Sequence, residues 1–440
     1  MRIMTRAPIA LAALLALGAC GIFGGGKPKT PTTGDRVPIL LGEDGAEIDP
    51  ALAGVQVVVP PQVANAAWSQ PGGSASKALG HLQLGGFTAP VWNAQIDGGG
   101  KAARLASSPV VSDGRLYVID VNGVVHAFST DNGARVWSQA TSEDEENRRS
   151  LFGGGVSVEG DRVYATNGVG EVVALNAADG TQIWKVRPGG PLRGAPGIFA
   201  SQLYVMSQDN QLIALNTSDG KTAWTASGAL EASGVFGVAA PAGAQGTVVA
   251  GFSSGELTAY RYENGRVVWQ DALARTSIST SVSSLSDIDA DPVIDQGRVY
   301  AIGQGGRMIS VELTTGQRVW EQTVAGISTP WVAGEWLFVV TDDARLICLA
   351  RSTGRIRWIA QLERWRDEED RKGAITWVGP VLGGGSLILA NSEGDVILAS
   401  PEDGSVKGTR KLGDSFSLGP VVAGETLFVL DDGGRLTALR

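Results

Sequence analysis

The stretch SSPVVSDGRLYVIDVNGVVHAFSTDNGARVW, from Ser107 to Trp137, decides the fold. It opens an apolar strand at Pro109, turns at Asp113-Gly114, alternates through a second strand and turns again at Asn122-Gly123. A third strand then runs to Asn132-Gly133, and a last one ends at Trp137. Proline at the first residue of a strand removes no ladder donor, and Asp-Gly and Asn-Gly supply the positive φ of tight hairpins. The unit therefore reads as four antiparallel strands.

The unit recurs along the chain. Trp137, Trp184, Trp224, Trp269, Trp320 and Trp358 follow one another at 38 to 51 residues, each four residues after a glycine: Gly133, Gly180, Gly220, Gly265, Gly316 and Gly354. That spacing is the period of propeller blades. Seven full units start near Pro109, Val156, Pro196, Pro241, Pro292, Pro330 and Pro380, whereas Pro420 to Arg440 has room for three strands only. Thr88 to Ile96, with Val91-Trp92 matching the end of other units, supplies the missing strand. Joining both ends in one blade closes the ring and leaves no edge unpaired. The expected fold is all-β, an eight-bladed β-propeller of four-stranded antiparallel blades over residues 85–440. An open-ended solenoid is the alternative; the complementary terminal half-blades and the lack of capping segments argue against it.

Ahead of the repeats, Arg2 and Arg6 precede an apolar run, Ala7 to Leu17, that is too short to span a bilayer. The run ends in Leu17-Gly18-Ala19-Cys20, which resembles the bacterial lipobox. The resemblance implies a signal peptide over residues 1–19, cleavage before Cys20 and acylation of its thiol; an ordinary signal peptide with a chance cysteine is the alternative. Gly21, where an aspartate tends to retain lipoproteins at the inner membrane, implies outer-membrane sorting. Residues 20–35 read as a flexible tether, because their Gly, Pro, Thr and Lys content buries too little apolar surface to order itself. Residues 36–84 mix short apolar runs with turn signals and read as an extended strap lying on the folded domain.

Removal of Arg2 and Arg6 from the 36 basic and 45 acidic residues leaves 34 against 45, a mature charge of −11. That balance argues against nucleic acid as a partner and against electrostatic attraction to anionic lipid. With Cys20 acylated only Cys348 remains, so no intramolecular disulfide is expected. Cys348 stands in the slot that alanine occupies in other units and reads as a small buried apolar residue. His81 and His126, the only histidines, make neither a His-rich metal site nor a convincing Ser-His-acid set; His126 reads as packed or solvent-facing within a strand.

The segments ALNAADGTQIW, Ala174 to Trp184, and ALNTSDGKTAW, Ala214 to Trp224, resemble the tryptophan-docking repeat of quinoprotein dehydrogenase propellers. The small alanine is read as letting strands approach near the axis, and the tryptophan as filling space between blades. Together with the lipobox, the chain resembles the BamB family of lipoproteins of the outer-membrane β-barrel assembly (BAM) complex. Two loops sharpen the likeness: Leu192-Arg193-Gly194 before Ala195-Pro196, and Leu285-Ser286-Asp287-Ile288-Asp289. In that family these loops meet the periplasmic POTRA domains of BamA, so the resemblance implies Leu192, Arg193, Asp287 and Asp289 as partner-binding residues. It also implies a non-enzymatic scaffold without cofactor or metal, held by Cys20 on the periplasmic face of the outer membrane. BamA and the BAM complex are the implied partners, and unfolded outer-membrane protein precursors are further candidates. One departure stands out: the family has a further leucine two residues before Leu192, where this chain has Gly190.

Plainer readings stand beside these. Arg193 could be solvated or bridge two loops, and Asp287 and Asp289 could cap turns. A calcium loop starting there fails, because Pro292 and Arg298 occupy the positions that need Gly and Glu. The rival class is a pyrroloquinoline-quinone-dependent dehydrogenase, whose resemblance implies a stacking tryptophan, calcium ligands, an Asp base and often paired cysteines. The chain has no cysteine pair, and Trp331, Trp336, Trp365 and Trp377, outside the docking slots, read as loop and blade packing. The charged runs Glu143 to Arg149 and Glu363 to Lys372 read as long loops on one rim, opposite the recognition loops, solvated or in contact with a partner.

Overall fold

The computed structural model describes residues 46–440 apart from 88, 101–102, 144–145, 230–238, 274–286 and 305. The signal segment, Cys20, the tether and the first part of the strap lie outside the described residues, as do Leu285 and Ser286.

Among the described residues the chain forms eight four-stranded antiparallel sheets, the blades of a closed propeller. The first blade comprises Val110–Ser112, Arg115–Ile119, Val124–Ser129 and Arg135–Ala140, with the first strand innermost. Val110, Tyr117, Ala127 and Trp137 stand in one row across its four strands. The alanine is small enough for the rings of Tyr117 and Trp137 to meet over it, with centroids 5.8 Å apart. The same row recurs as Tyr164-Ala174-Trp184, Tyr204-Ala214-Trp224 and Phe338-Cys348-Trp358. This corrects one expectation, since the alanine lies in the third strand, away from the axis, and makes room for two aromatic rings. Cys348 fills that slot as expected: it is fully buried, and burial pushes its thiol well above the usual range.

Each tryptophan docks on the following blade. Trp137 Nε1 donates to Ala177 O at 3.0 Å, and a Cβ on Gly180, whose φ is +76°, would stand 2.6 Å from the Trp137 ring. Trp224 meets Tyr262 O (2.7 Å) and Gly265 in the same way. The glycine and the tryptophan of one repeat therefore serve different interfaces, the glycine receiving the previous blade's indole.

The last blade pairs Arg435–Leu439 with Pro90–Gln95, placing Trp92 opposite Ala438. Trp92 Nε1 reaches Thr130 O of the first blade at 2.8 Å, so the ring closes by the expected exchange of ends and is no solenoid. The junction between the seventh and eighth blades differs. There the seventh blade's outer strand, Val406–Lys411, carries Gly408 in the tryptophan position, opposite Leu398. The eighth blade draws its outer strand from Pro90–Gln95, so it has no third hairpin glycine to receive an indole.

The strap explains why one end of the axis is shut. Asn65 O accepts from Gly424 N of the eighth blade, and Trp68 exchanges two backbone hydrogen bonds with Val111 of the first. Ser69 O then accepts from Val158 N, and the Gln70 side chain both accepts from Ile198 N (2.8 Å) and donates to Ile198 O (3.2 Å). Ala75 O and Ser76 O accept from Gly243 N and Ile294 N, Gly80 O from Trp331 Nε1, and Leu82 bonds both Leu382 and Gly384. Gly85 N donates to Glu425 O, back on the eighth blade. The strap thus makes one full circuit in blade order, bonding each inner strand or its hairpin turn once the strand has crossed the disc. His81 locks the circuit: its Nε2 accepts from Gly385 N at 2.9 Å, which leaves Nδ1–H to donate to Pro60 O at 2.7 Å.

Candidate partner-binding face

Connections between blades enter the inner strands on the face opposite the strap. Arg193 stands at the start of the third blade's inner strand, Leu192–Phe199, where a bulge between Arg193 and Gly197 breaks the register with the next strand. Bulges of this kind re-aim side chains at sheet ends. Asp287 and Asp289 precede the fifth blade's inner strand, Val293–Asp295. Arg193, Asn210, Ala239, Ser253 and Asp287 line one shallow cleft, so the two sequence-predicted groups do come together across the fourth blade.

Their environments differ. Leu192 is 1 % exposed and packs with Tyr164, Val172 and Ile198 between the second and third blades. Its side chain positions Arg193 and offers no apolar surface to a partner. Asp287 is 2 % exposed, whereas Arg193 and Asp289 are half-buried. Asp289 Oδ1 is buried without a hydrogen bond, which does not fit the turn-cap reading for that oxygen. Burial pushes the Asp289 carboxyl up to about 7, the charge on Asp287 adds to the rise, and the Arg193 guanidinium offsets part of it. Asp342, in the sixth blade, is pushed up to about 6 by burial and by Asp343, and adds to the negative field around Asp289. The face therefore presents a cation beside carboxylates whose charge a basic partner would restore. Gly190 lies exposed beside Arg193, with open space where a Cβ would stand.

A family model described as Outer membrane protein assembly factor BamB matches residues 88–151 and 121–360. The chain belongs to the BamB family. BamB from Escherichia coli (strain K12) is 32% identical over 330 residues, covering 74% of this chain and 82% of that protein. BamB from Salmonella typhimurium is 30% identical over 353 residues, covering 79% and 88%. The crystal structure of BamB from Moraxella catarrhalis superposes with a TM-score of 0.67 at 18% identity, over 80% of this chain and 98% of that one. A europium-containing methanol dehydrogenase reaches a TM-score of 0.65 at 13% identity, over 83% and 89%, and at that identity the likeness is one of fold alone.

On this BamB-family frame the remaining sequence candidates fall into structural places. Trp331 stacks on Trp68 of the strap at 6.2 Å and 12°, and Trp377 Nε1 donates to Glu363 O. Trp336 is buried in its blade, and Trp365 lies under the Arg364 guanidinium at 5.3 Å. Asp120, His126 and Ser138 form a hydrogen-bonded Ser-His-acid set after all, with Nε2 3.0 Å from Asp120 Oδ2 and Nδ1 2.8 Å from Ser138 Oγ. Asp120 Oδ1 meanwhile accepts from Asn122 N and Val124 N at 2.9 Å each, so the set braces a hairpin turn and His126 is packed. The charged runs need correction twice. Residues 363–372 include part of a hairpin, Trp365–Asp367 with Lys372–Ala374, and are no simple loop. Both runs also join an outer strand to the next inner strand, which puts them on the same face as Arg193, not opposite it.

Proposed function

We infer that this chain is an outer-membrane protein assembly factor of the BAM complex, acting as a lipid-anchored scaffold and not as an enzyme. A rigid ring holds its inter-blade connections in fixed positions, so binding residues can vary without disturbing the core. The face carrying Arg193, Asp287 and Asp289 is the docking surface for the periplasmic POTRA domains of BamA, and Cys20 carries the acyl anchor that keeps the disc on the periplasmic side of the outer membrane. The observation that carries this reading is the cleft shared by Arg193 and Asp287, with the partly ionised Asp289 beside it. Leu192 serves the site from beneath, by fixing the strand that presents Arg193.

The test is a titration of the purified chain against the BamA periplasmic domains. Arg193→Glu combined with Asp289→Lys should weaken binding by more than about 2 kcal/mol, the range of interface hot spots. Binding at wild-type strength by the folded double variant would move the contact elsewhere on this face, to Glu143–Arg149 or Glu363–Lys372. A quinone- and calcium-dependent dye reduction by the purified chain would replace the scaffold with an enzyme.

A further inference from the structure

The circuit of the strap leaves a cavity of about 220 Å³ on the propeller axis, floored by Trp68, Pro71 and Lys77. Its walls are the starts of inner strands, including Ser108, Thr329 and Pro420, and Trp331 forms an apolar side. One water-sized site needs about 10–15 Å³ on this measure, so the space takes a small organic molecule.

A lysine and an aspartate line this cavity, and burial draws the Lys77 ammonium down to about 8 and pushes the Asp291 carboxyl up. Lys77 is 1 % exposed, and its ammonium donates a single hydrogen bond, to Pro71 O at 2.5 Å. Its backbone is held at a φ of +63° and its stem lies against Gly72, where a Cβ would stand 2.6 Å from Cδ. The turn thus holds Lys77 in the cavity lining with its ammonium on Pro71 O. Asp291 is buried in the same lining, just before the inner strand whose Ile294 N donates to Ser76 O of the strap, with its Oδ1 accepting from Ala240 N at 2.7 Å, while its other oxygen takes no hydrogen bond from the described residues. No direct ion pair joins the two groups among the described residues, although each feels the other's charge. A buried charge without a contacting counter-charge is costly, and a ligand that supplies both counter-charges removes that cost at both ends.

We propose that the strap-floored axial cavity is a binding site for a small zwitterion such as a short peptide, its carboxylate on Lys77 Nζ and its ammonium on the open oxygen of Asp291. The Trp68 and Trp331 pair supplies the apolar wall for the ligand's body. This site is separate from the Arg193 cleft and does not depend on partner docking.

Calorimetric titration of the full chain with alanylalanine tests the proposal, with N-acetyl-alanylalanine and alanylalanine amide as single-charge controls. Saturable one-to-one binding is expected, at least tenfold weaker for either blocked form. Asp291→Asn and Lys77→Met should each weaken it at least tenfold. Lys77→Met acts at a strained, buried position, so Ala106→Phe serves as a second variant: it fills the lining and leaves both charges in place, and it should abolish binding with the circular dichroism unchanged. Absence of saturable binding to the wild-type chain, equal binding of the blocked dipeptides, or wild-type affinity in folded Asp291→Asn and Ala106→Phe would each overturn the proposal.

Discussion

Trp92 and Gly133 meet across the seam of the ring: a Cβ on Gly133 would stand 2.6 Å from the indole, and the glycine holds a φ of +69°, in the left-handed region that favours glycine. The two residues come from the eighth and first blades, so their contact ties the chain's N-terminal strand into the closed disc. Trp92→Ala should lower stability by about 3–5 kcal/mol, the cost of a large buried aromatic. Urea unfolding followed by tryptophan fluorescence measures it. A loss under about 1 kcal/mol would mean that backbone pairing between Pro90–Gln95 and Arg435–Leu439 closes the ring unaided.

Asp289 makes stability depend on pH with an unusual sign. Its carboxyl rises from 3.8 to about 7 on folding, so the folded chain holds the proton more tightly than the unfolded one. The associated stability is complete below about pH 4 and is lost as pH rises through about 7. Asp289→Asn should therefore raise the melting temperature above pH 8 and leave it unchanged near pH 4. At about 1.4 kcal/mol per pKa unit, the high-pH gain is at most on the order of a few kcal/mol. Equal gains at both pH values would show that the carboxyl titrates normally.

Much of this architecture is legible in the sequence because blades repeat: a glycine four residues before a tryptophan is visible without any structure. What each member does is less visible. Ala127 and its counterparts matter through rings contributed by the strands on either side, and strand pairing alone reveals that row. The strap has no period, so neither its blade-by-blade circuit nor the placement of Lys77 in the cavity lining is legible in it. Among the site residues, the grouping of Arg193 with Asp287 followed from blade order. The burial of Leu192 did not, although it alternates in step with Ile198, a core residue of the same strand.

The acyl anchor proposed for Cys20 makes a simple prediction. Acyl chains contribute roughly 0.8 kcal/mol per buried methylene, and a chain beginning at the proposed lipidation site, Cys20, carries −11, which offers anionic lipid no attraction. Cys20→Ser should therefore shift the protein from the membrane to the soluble fraction on cell fractionation. Retention of the variant in the outer membrane at wild-type levels would assign placement to protein contacts.

Gly190 offers a gain-of-function test of the docking face. The family resemblance implies a leucine at that point, and here the glycine is exposed, lies outside the positive-φ region and has open space where a Cβ would point. Leu192 cannot supply the missing apolar contact, because it is packed between blades. A leucine at position 190 would stand at the surface three residues from Arg193, where a docked partner would bury it. Burying such a side chain contributes about 1.5–3 kcal/mol, and ordering it takes back about 0.5–1 kcal/mol. Gly190→Leu should thus tighten binding of the BamA periplasmic domains by about 1–2 kcal/mol, roughly five- to thirtyfold, mostly through slower dissociation. Surface plasmon resonance would resolve the two rates. Unchanged affinity in Gly190→Leu, alongside a clear loss in Arg193→Glu, would mean that the partner meets this face through charge alone.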